Sequence, residues 1–111
     1  MNHKNLALLR DTLLALPADI NFDMDTGYHR GICGTAACIA GVCYALQPKP
    51  EAHPGWPTVR HTALKWLGLP VSERNFGIGH DLFDYDLAPK NCTPQQAAIA
   101  VQNVMEGRAP W

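Results

Sequence analysis

The chain has 111 residues, of which 47% are hydrophobic and 17% charged, with a formal net charge of -1. This is the composition and size of one globular domain, residues 1–111, with enough apolar content for its own core, and it excludes a disordered chain. Lys4, Arg10, Arg30, Lys49, Arg60, Lys65, Arg74, Lys90 and Arg108 are scattered along the sequence, so no basic cluster offers the footprint that a phosphate backbone requires, and nucleic acid is disfavoured as a partner.

The N-terminal residues run directly into an amphipathic pattern, without an apolar core and small-residue cleavage site, so no secretory signal is expected. A reducing, cytoplasmic setting follows, and the four cysteines read as free thiols. Leu6, Leu9, Leu13 and Leu16 recur at steps of three and four, which predicts a first helix over 4–16, its stripe widened by Leu8 and Leu14 and closed by Pro17. Ile20, Phe22 and Met24 then alternate with polar residues. Period two predicts a short extended segment, and the best-placed partner for a two-stranded ribbon is 82–85.

Residues 36–46 contain no charge and no side-chain amide. A helix apolar on every side must be covered on every side, so the second helix, over 35–46, is expected at the centre of the domain. At about 1.5 Å per residue it is far too short for a bilayer, and no membrane association is expected. Thr35 is the predicted N-cap. Four prolines from Pro48 to Pro57 make 47–57 a stiff loop.

Val59, Ala63, Trp66 and Leu67 predict a third helix over 58–67, stopped by Gly68 and Pro70. Ser72 is placed to cap a single turn through Phe76, and 77–92 forms the second long loop. Thr93, Pro94 and Gln96 spell a capping box with proline at the first helical position, so a fourth helix runs from 94 to Gly107, with Ala97, Val101, Val104 and Met105 inward. The expected architecture is mainly α: about four helices around a central apolar helix, with a short two-stranded ribbon.

The segments Phe22-Asp23-Met24, Cys33-Gly34-Thr35-Ala36-Ala37-Cys38-Ile39-Ala40-Gly41, Leu67-Gly68-Leu69, Leu82-Phe83 and Thr93-Pro94-Gln95-Gln96-Ala97 together resemble a group of small proteins of unassigned activity found in bacterial genomes, prophages and phages. The Cys-Gly-Thr-x-x-Cys-Ile-Ala-Gly run is the specific part of this resemblance. Where an aromatic often follows Ala-Gly in that group, this chain has Val42-Cys43. The resemblance implies no activity; it implies a phage or mobile-element setting, in which small proteins commonly bind host machinery.

Two functional readings emerge. In the first, the protein is a non-enzymatic interaction module. Trp56 and Trp111 lie in proline-bearing segments that are hard to bury, and exposed aromatics are common interface anchors. Asp81, Phe83, Asp84 and Tyr85 form an acidic-aromatic surface suited to a basic protein partner. In the alternative, Cys33 is a thiolate nucleophile, activated at the N-terminus of the second helix, with His80 (or His29 or His53) as base. Cys38 and Cys43 read as small buried hydrophobes. The spacing Cys33-x4-Cys38-x4-Cys43 lacks the knuckle of structural zinc sites, and Asp23-x-Asp25-x-Gly27 departs from a calcium loop in both its glycine and its closing position. No metal site and no cofactor are expected.

Overall fold

The computed structural model describes residues 1–16, 20–24, 28–31, 34–72, 77, 79–84 and 86–111. Among them are four helices, α1 (His3–Leu14), α2 (Ile39–Ala45), α3 (Trp56–Leu67) and α4 (Pro94–Met105), a 3-10 turn at Asp81–Phe83, and three short strands, β1 (Ile20–Phe22), β2 (Tyr28–Gly31) and β3 (Gly34–Ala37). The domain is mainly α with four helices, as its periodicities predict. No helix among the described residues is long and apolar enough to cross a membrane.

Helix α1 starts at Asn2, whose side-chain oxygen accepts from the Asn5 N–H at 3.0 Å and so satisfies one orphan donor of the first turn. It ends at Leu14, two residues short of the predicted end. Leu6, Leu9 and Leu13 are buried, whereas Leu8 and Leu14 are 49% and 55% exposed and do not widen the apolar stripe. Each fully buried leucine contributes about 1.5–3 kcal/mol of transfer free energy, so this narrow stripe suffices to hold the helix down. α1 packs along α4, where Arg10 Nη1 donates to Gln102 Oε1 at 2.8 Å. Its start is tied to the end of α3: the Asn2 N–H donates to Leu67 O at 2.8 Å and Asn5 Nδ2 to Trp66 O at 2.7 Å.

Helix α2 is central but shorter than 35–46. Residues 34–37 are instead β3, the middle strand of a three-stranded sheet with order β1-β3-β2. β3 pairs in parallel with β1 (Ile20↔Thr35, Phe22↔Ala37) and antiparallel with β2 (Tyr28↔Ala37, Gly31↔Gly34). Gly-Thr-Ala-Ala has no strong local commitment to helix, and ladders on both sides outweigh what preference it has. Thr35 is therefore a strand residue, not a cap. The N-cap of α2 is Cys38, in extended geometry. The predicted ribbon between β1 and 82–85 is likewise replaced: β1 pairs with β3, and residues 81–83 form the 3-10 turn.

Every residue of α2 from Ile39 to Tyr44 is buried. One side faces α3, another faces β2 and β3, and α1 and the 3-10 turn close the remainder. The Tyr44 ring meets Tyr28 edge-on, with centroids 5.0 Å apart, and its hydroxyl accepts from the Glu51 N–H at 3.1 Å, so the one polar atom on this helix's side chains that reaches the rim is paired.

Helix α3 begins two residues earlier than predicted, with Gly55 as N-cap and Pro57 in its first turn. Gly68 ends it at φ +64, and a Cβ there would come within 3.1 Å of the Asn2 backbone nitrogen, so glycine is required for both conformation and space. In α4 the capping box is complete: Thr93 Oγ1 accepts from the Gln96 N–H at 3.1 Å, and Gln96 Oε1 accepts from the Thr93 N–H at 2.9 Å. The expected turn after Ser72 falls on residues 73–76, which lie outside the described residues; Ser72 Oγ itself donates to Asp81 Oδ1 at 2.8 Å.

A candidate binding cleft beside the edge strand

Among the described residues β1 pairs with β3 alone and is an edge strand. In a parallel ladder, alternate residues turn their amides toward opposite neighbours. The Asp23 N–H donates to Ala37 O at 2.9 Å, which fixes the alternation: Asn21 and Asp23 serve β3, while Ile20 and Phe22 direct their N–H and C=O groups away from it. Asn21, Phe22, Asp23 and Met24, at the end of β1 and just after it, border a cleft of about 890 Å3, formed with the loop over 86–92. The volume lies within the range of about 300–1,000 Å3 typical of ligand pockets and exceeds those of two further hollows, about 580 and 170 Å3, elsewhere on the surface.

The opposite wall is held at both ends. Asp84 Oδ1 accepts from the Asp86 N–H at 2.9 Å, and Asp84 O accepts from Leu87 and Ala88 N–H at 3.1 and 3.2 Å, folding the chain back after the 3-10 turn. At the far end Asn91 adopts φ +57, a left-handed conformation that asparagine tolerates better than most residues, and Thr93 starts α4. Phe22, Asp23, Asp86, Lys90, Asn91 and Cys92 supply the side chains that line the cleft and bear on its chemistry. Among these are two carboxylates, Asp23 and Asp86, and one ammonium, Lys90. Cys92 is half-buried, its Sγ donates to Thr93 O at 3.5 Å, and burial raises its thiol pKa above the ordinary range.

The side chains singled out from sequence fall differently. Trp111 and Asp81 do come together: the indole Nε1 donates to Asp81 O at 3.0 Å. Pro110 beside it is buried, and its carbonyl accepts from Asn103 Nδ2 at 3.0 Å, so the final residues fold back onto α4 and the 3-10 turn. Phe83 is a core residue at 6% exposure, not a surface anchor. Asp84 is half-exposed and committed to the root of the 86–92 loop. Trp56 stands apart at the head of α3, 38% exposed. Tyr85 lies outside the described residues.

The thiol alternative loses its structural premise. Cys33 is outside the described residues, but the four residues after it are a strand and α2 starts only at Ile39, so no helix N-terminus follows it directly. Cys38, which does precede the helix, is buried, and desolvation pushes its thiol up to about 11 despite the opposing backbone amides of Gly41 and Ala40. Cys43 is buried and raised well above the ordinary thiol value for the same reason. Neither is a thiolate at neutral pH. No disulfide joins Cys38, Cys43 and Cys92 to one another. His80 plays a structural part. Its Nδ1 accepts from the Leu82 N–H at 3.0 Å, capping the 3-10 turn, and its ring packs edge-on against Phe83. Burial lowers its pKa, with nearby Asp81 acting in the opposite direction. His53 is an exposed loop residue and His29 belongs to β2. Among the described residues no three His, Cys, Asp or Glu side chains converge as a metal site would require.

The cleft is hidden from sequence reasoning because its two walls are some 65 positions apart in the chain. The alternation in 20–24 identifies one wall, but nothing local marks 86–92 as the other. No protein-family model, curated protein or solved structure matches the chain, so the geometry of the cleft carries the functional reading.

Proposed function

We propose that the protein is a non-enzymatic binding module that takes a protein partner, in the phage or mobile-element setting that the Cys-Gly-Thr-x-x-Cys-Ile-Ala-Gly resemblance implies. The observation that carries this reading is the cleft of about 890 Å3 beside β1. Its lining offers hydrogen-bonding amides, charge and an apolar floor, but among the described residues no histidine and no activated thiol. Such a surface is suited to recognition, and among the described residues it has no nucleophile–base pair with which to react. Trp56, exposed at the head of α3, is a second candidate contact, and the carboxylates of Asp81, Asp84 and Asp86 favour a basic partner. The protein is placed in the cytoplasm on this reading, where free thiols persist.

Affinity capture from bacterial lysate tests the proposal, with wild type beside Asp86→Lys and Trp56→Ala. A saturable partner that wild type retains and at least one variant loses is the expected outcome. Failure of the wild type to retain any partner above a denatured control overturns the reading. Rapid iodoacetamide labelling of Cys33 at mildly acidic pH would instead favour the thiol-dependent enzyme.

A further inference from the structure

We propose that the hollow of about 580 Å3 between the start of α1 and the outer face of α3 binds a small organic phosphate ester, with the phosphate on Lys65, His61 and Thr62 and the apolar body against Trp66. This site shares no residue with the cleft beside β1.

Three observations converge. The first is a preformed shape. Asn2 and Asn5 of the α1 start, Gln47 just after α2, and His61, Thr62, Lys65 and Trp66 of α3 line the hollow. Its volume lies within the range of about 300–1,000 Å3 typical of sites for whole small molecules. Hydrogen bonds hold the walls in place. The Asn2 N–H donates to Leu67 O at 2.8 Å, Asn5 Nδ2 to Trp66 O at 2.7 Å, and Gln47 Nε2 to Cys43 O at 2.9 Å. Such walls lose little freedom when a ligand enters.

The second is charge. Among the described residues that line the hollow none is acidic. α3 has no acidic residue along its length, and the first turn of α1 carries His3 and Lys4 and no carboxylate. His61 and Lys65 stand one turn apart on the same face of α3, both exposed, and neither forms an ion pair among the described residues. Asn2 is the N-cap of α1, so the positive end of that helix dipole lies beside them. An ammonium unopposed by any carboxylate complements an anion.

The third is the set of donors. Asn5 and Gln47 have committed their amide nitrogens to main-chain carbonyls. Lys65 Nζ, the Thr62 hydroxyl, the His61 ring and Asn2 Nδ2 donate to no acceptor among the described residues. Donors spread over two helices suit the diverging terminal oxygens of a phosphate monoester better than the two coplanar oxygens of a carboxylate. Trp66 is half-buried and packs against the core, which leaves part of its ring as an apolar surface for the organic body.

The test titrates the full chain with phenyl phosphate, with affinity from calorimetry and location from proton–nitrogen NMR, which reads the Trp66 indole N–H and the amides of 61–66. Inorganic phosphate and phenylacetate are the comparison ligands. Lys65→Ala and Lys65→Glu replace an exposed side chain, and their melting temperatures verify that the fold is kept.

The expected result is saturable binding of phenyl phosphate with shifts at Trp66 and 61–66. Lys65→Ala weakens it at least about ten-fold, the scale of a hydrogen bond to a charged group, Lys65→Glu abolishes it, and Asp86→Lys leaves it unchanged. Inorganic phosphate and phenylacetate both bind more weakly. Absence of saturable shifts at millimolar phenyl phosphate overturns the site, as does undiminished binding by Lys65→Glu. Shifts confined to 21–24 and 86–92 assign the ligand to the cleft and also overturn it. Equal affinity for phenylacetate overturns the phosphate, and equal affinity for inorganic phosphate overturns the organic body.

Discussion

The surroundings of α2 and the cleft beside β1 treat the same kinds of groups in opposite ways. Around α2, the thiols are buried and the helix's one phenol is paired. Cys38 and Cys43 are buried, and the Tyr44 hydroxyl accepts from Glu51 N–H. Along β1, amides face outward, carboxylates reach solvent and the Cys92 thiol is only half-covered. Cys38 and Cys43, which the sequence offers as small buried hydrophobes, are buried in that way. A thiol needs both access and a stabilised anion to react, and burial among apolar groups removes both.

Three measurements bear on that contrast, from the largest expected effect to the smallest. Ile39→Ala empties a fully buried position at the start of α2 and should cost about 2–5 kcal/mol in chemical denaturation, the range for large-to-small changes in a close-packed core. A loss below about 1 kcal/mol would show that α2 is not the centre of packing.

The second concerns the 3-10 turn, which joins the regions: Leu82 and Phe83 are core, while Asp84 anchors the loop that walls the cleft. His80 caps this turn through an unprotonated Nδ1, and its pKa is lowered from the ordinary 6.5. A group whose folded pKa is depressed binds protons more readily in the unfolded chain, so stability rises with pH through that interval. The contribution is fully present above the unfolded value of 6.5 and is lost as pH falls through the lower folded value. The melting temperature should drop across that window, and His80→Asn, which supplies an uncharged acceptor in its place, should flatten the drop. An unchanged slope in the variant would refute the assignment.

The smallest effect is expected in the cleft. Asp86→Lys alters an exposed side chain whose own hydrogen bond to the loop is made by its backbone, so stability should change by no more than about 0.5 kcal/mol. A larger loss in thermal or denaturant unfolding would mean that the cleft wall is part of the core, and the contrast between the two regions would fail.

Local signals serve some elements well and others poorly. The Thr93 box and the Gly68 stop are legible because a cap is a local device, whose donors and acceptors lie within about four residues of one another. The start of α2 is not. Residues 34–37 read as helix from their small side chains, and only the flanking β1 and β2 ladders make them a strand. Phe83 has the sequence context of a surface aromatic and Trp111 that of a free anchor. The 3-10 turn buries the first, and a hydrogen bond to Asp81 O ties down the second. The cleft is the least legible feature, since it depends on which edge of β1 faces away from β3.

By itself the sequence determined the helical content, the Thr93 cap, the Gly68 stop and the need to bury the apolar run that holds 37–44, because periodicity, hydrogen-bonding side chains and apolar runs act within a few positions. Only the tertiary structure decided that 34–37 form the middle strand of a sheet, that β1 keeps an outward edge and that 86–92 stands opposite it. Strand pairing and cleft formation join distant segments, and their free energy exists only once those segments have met.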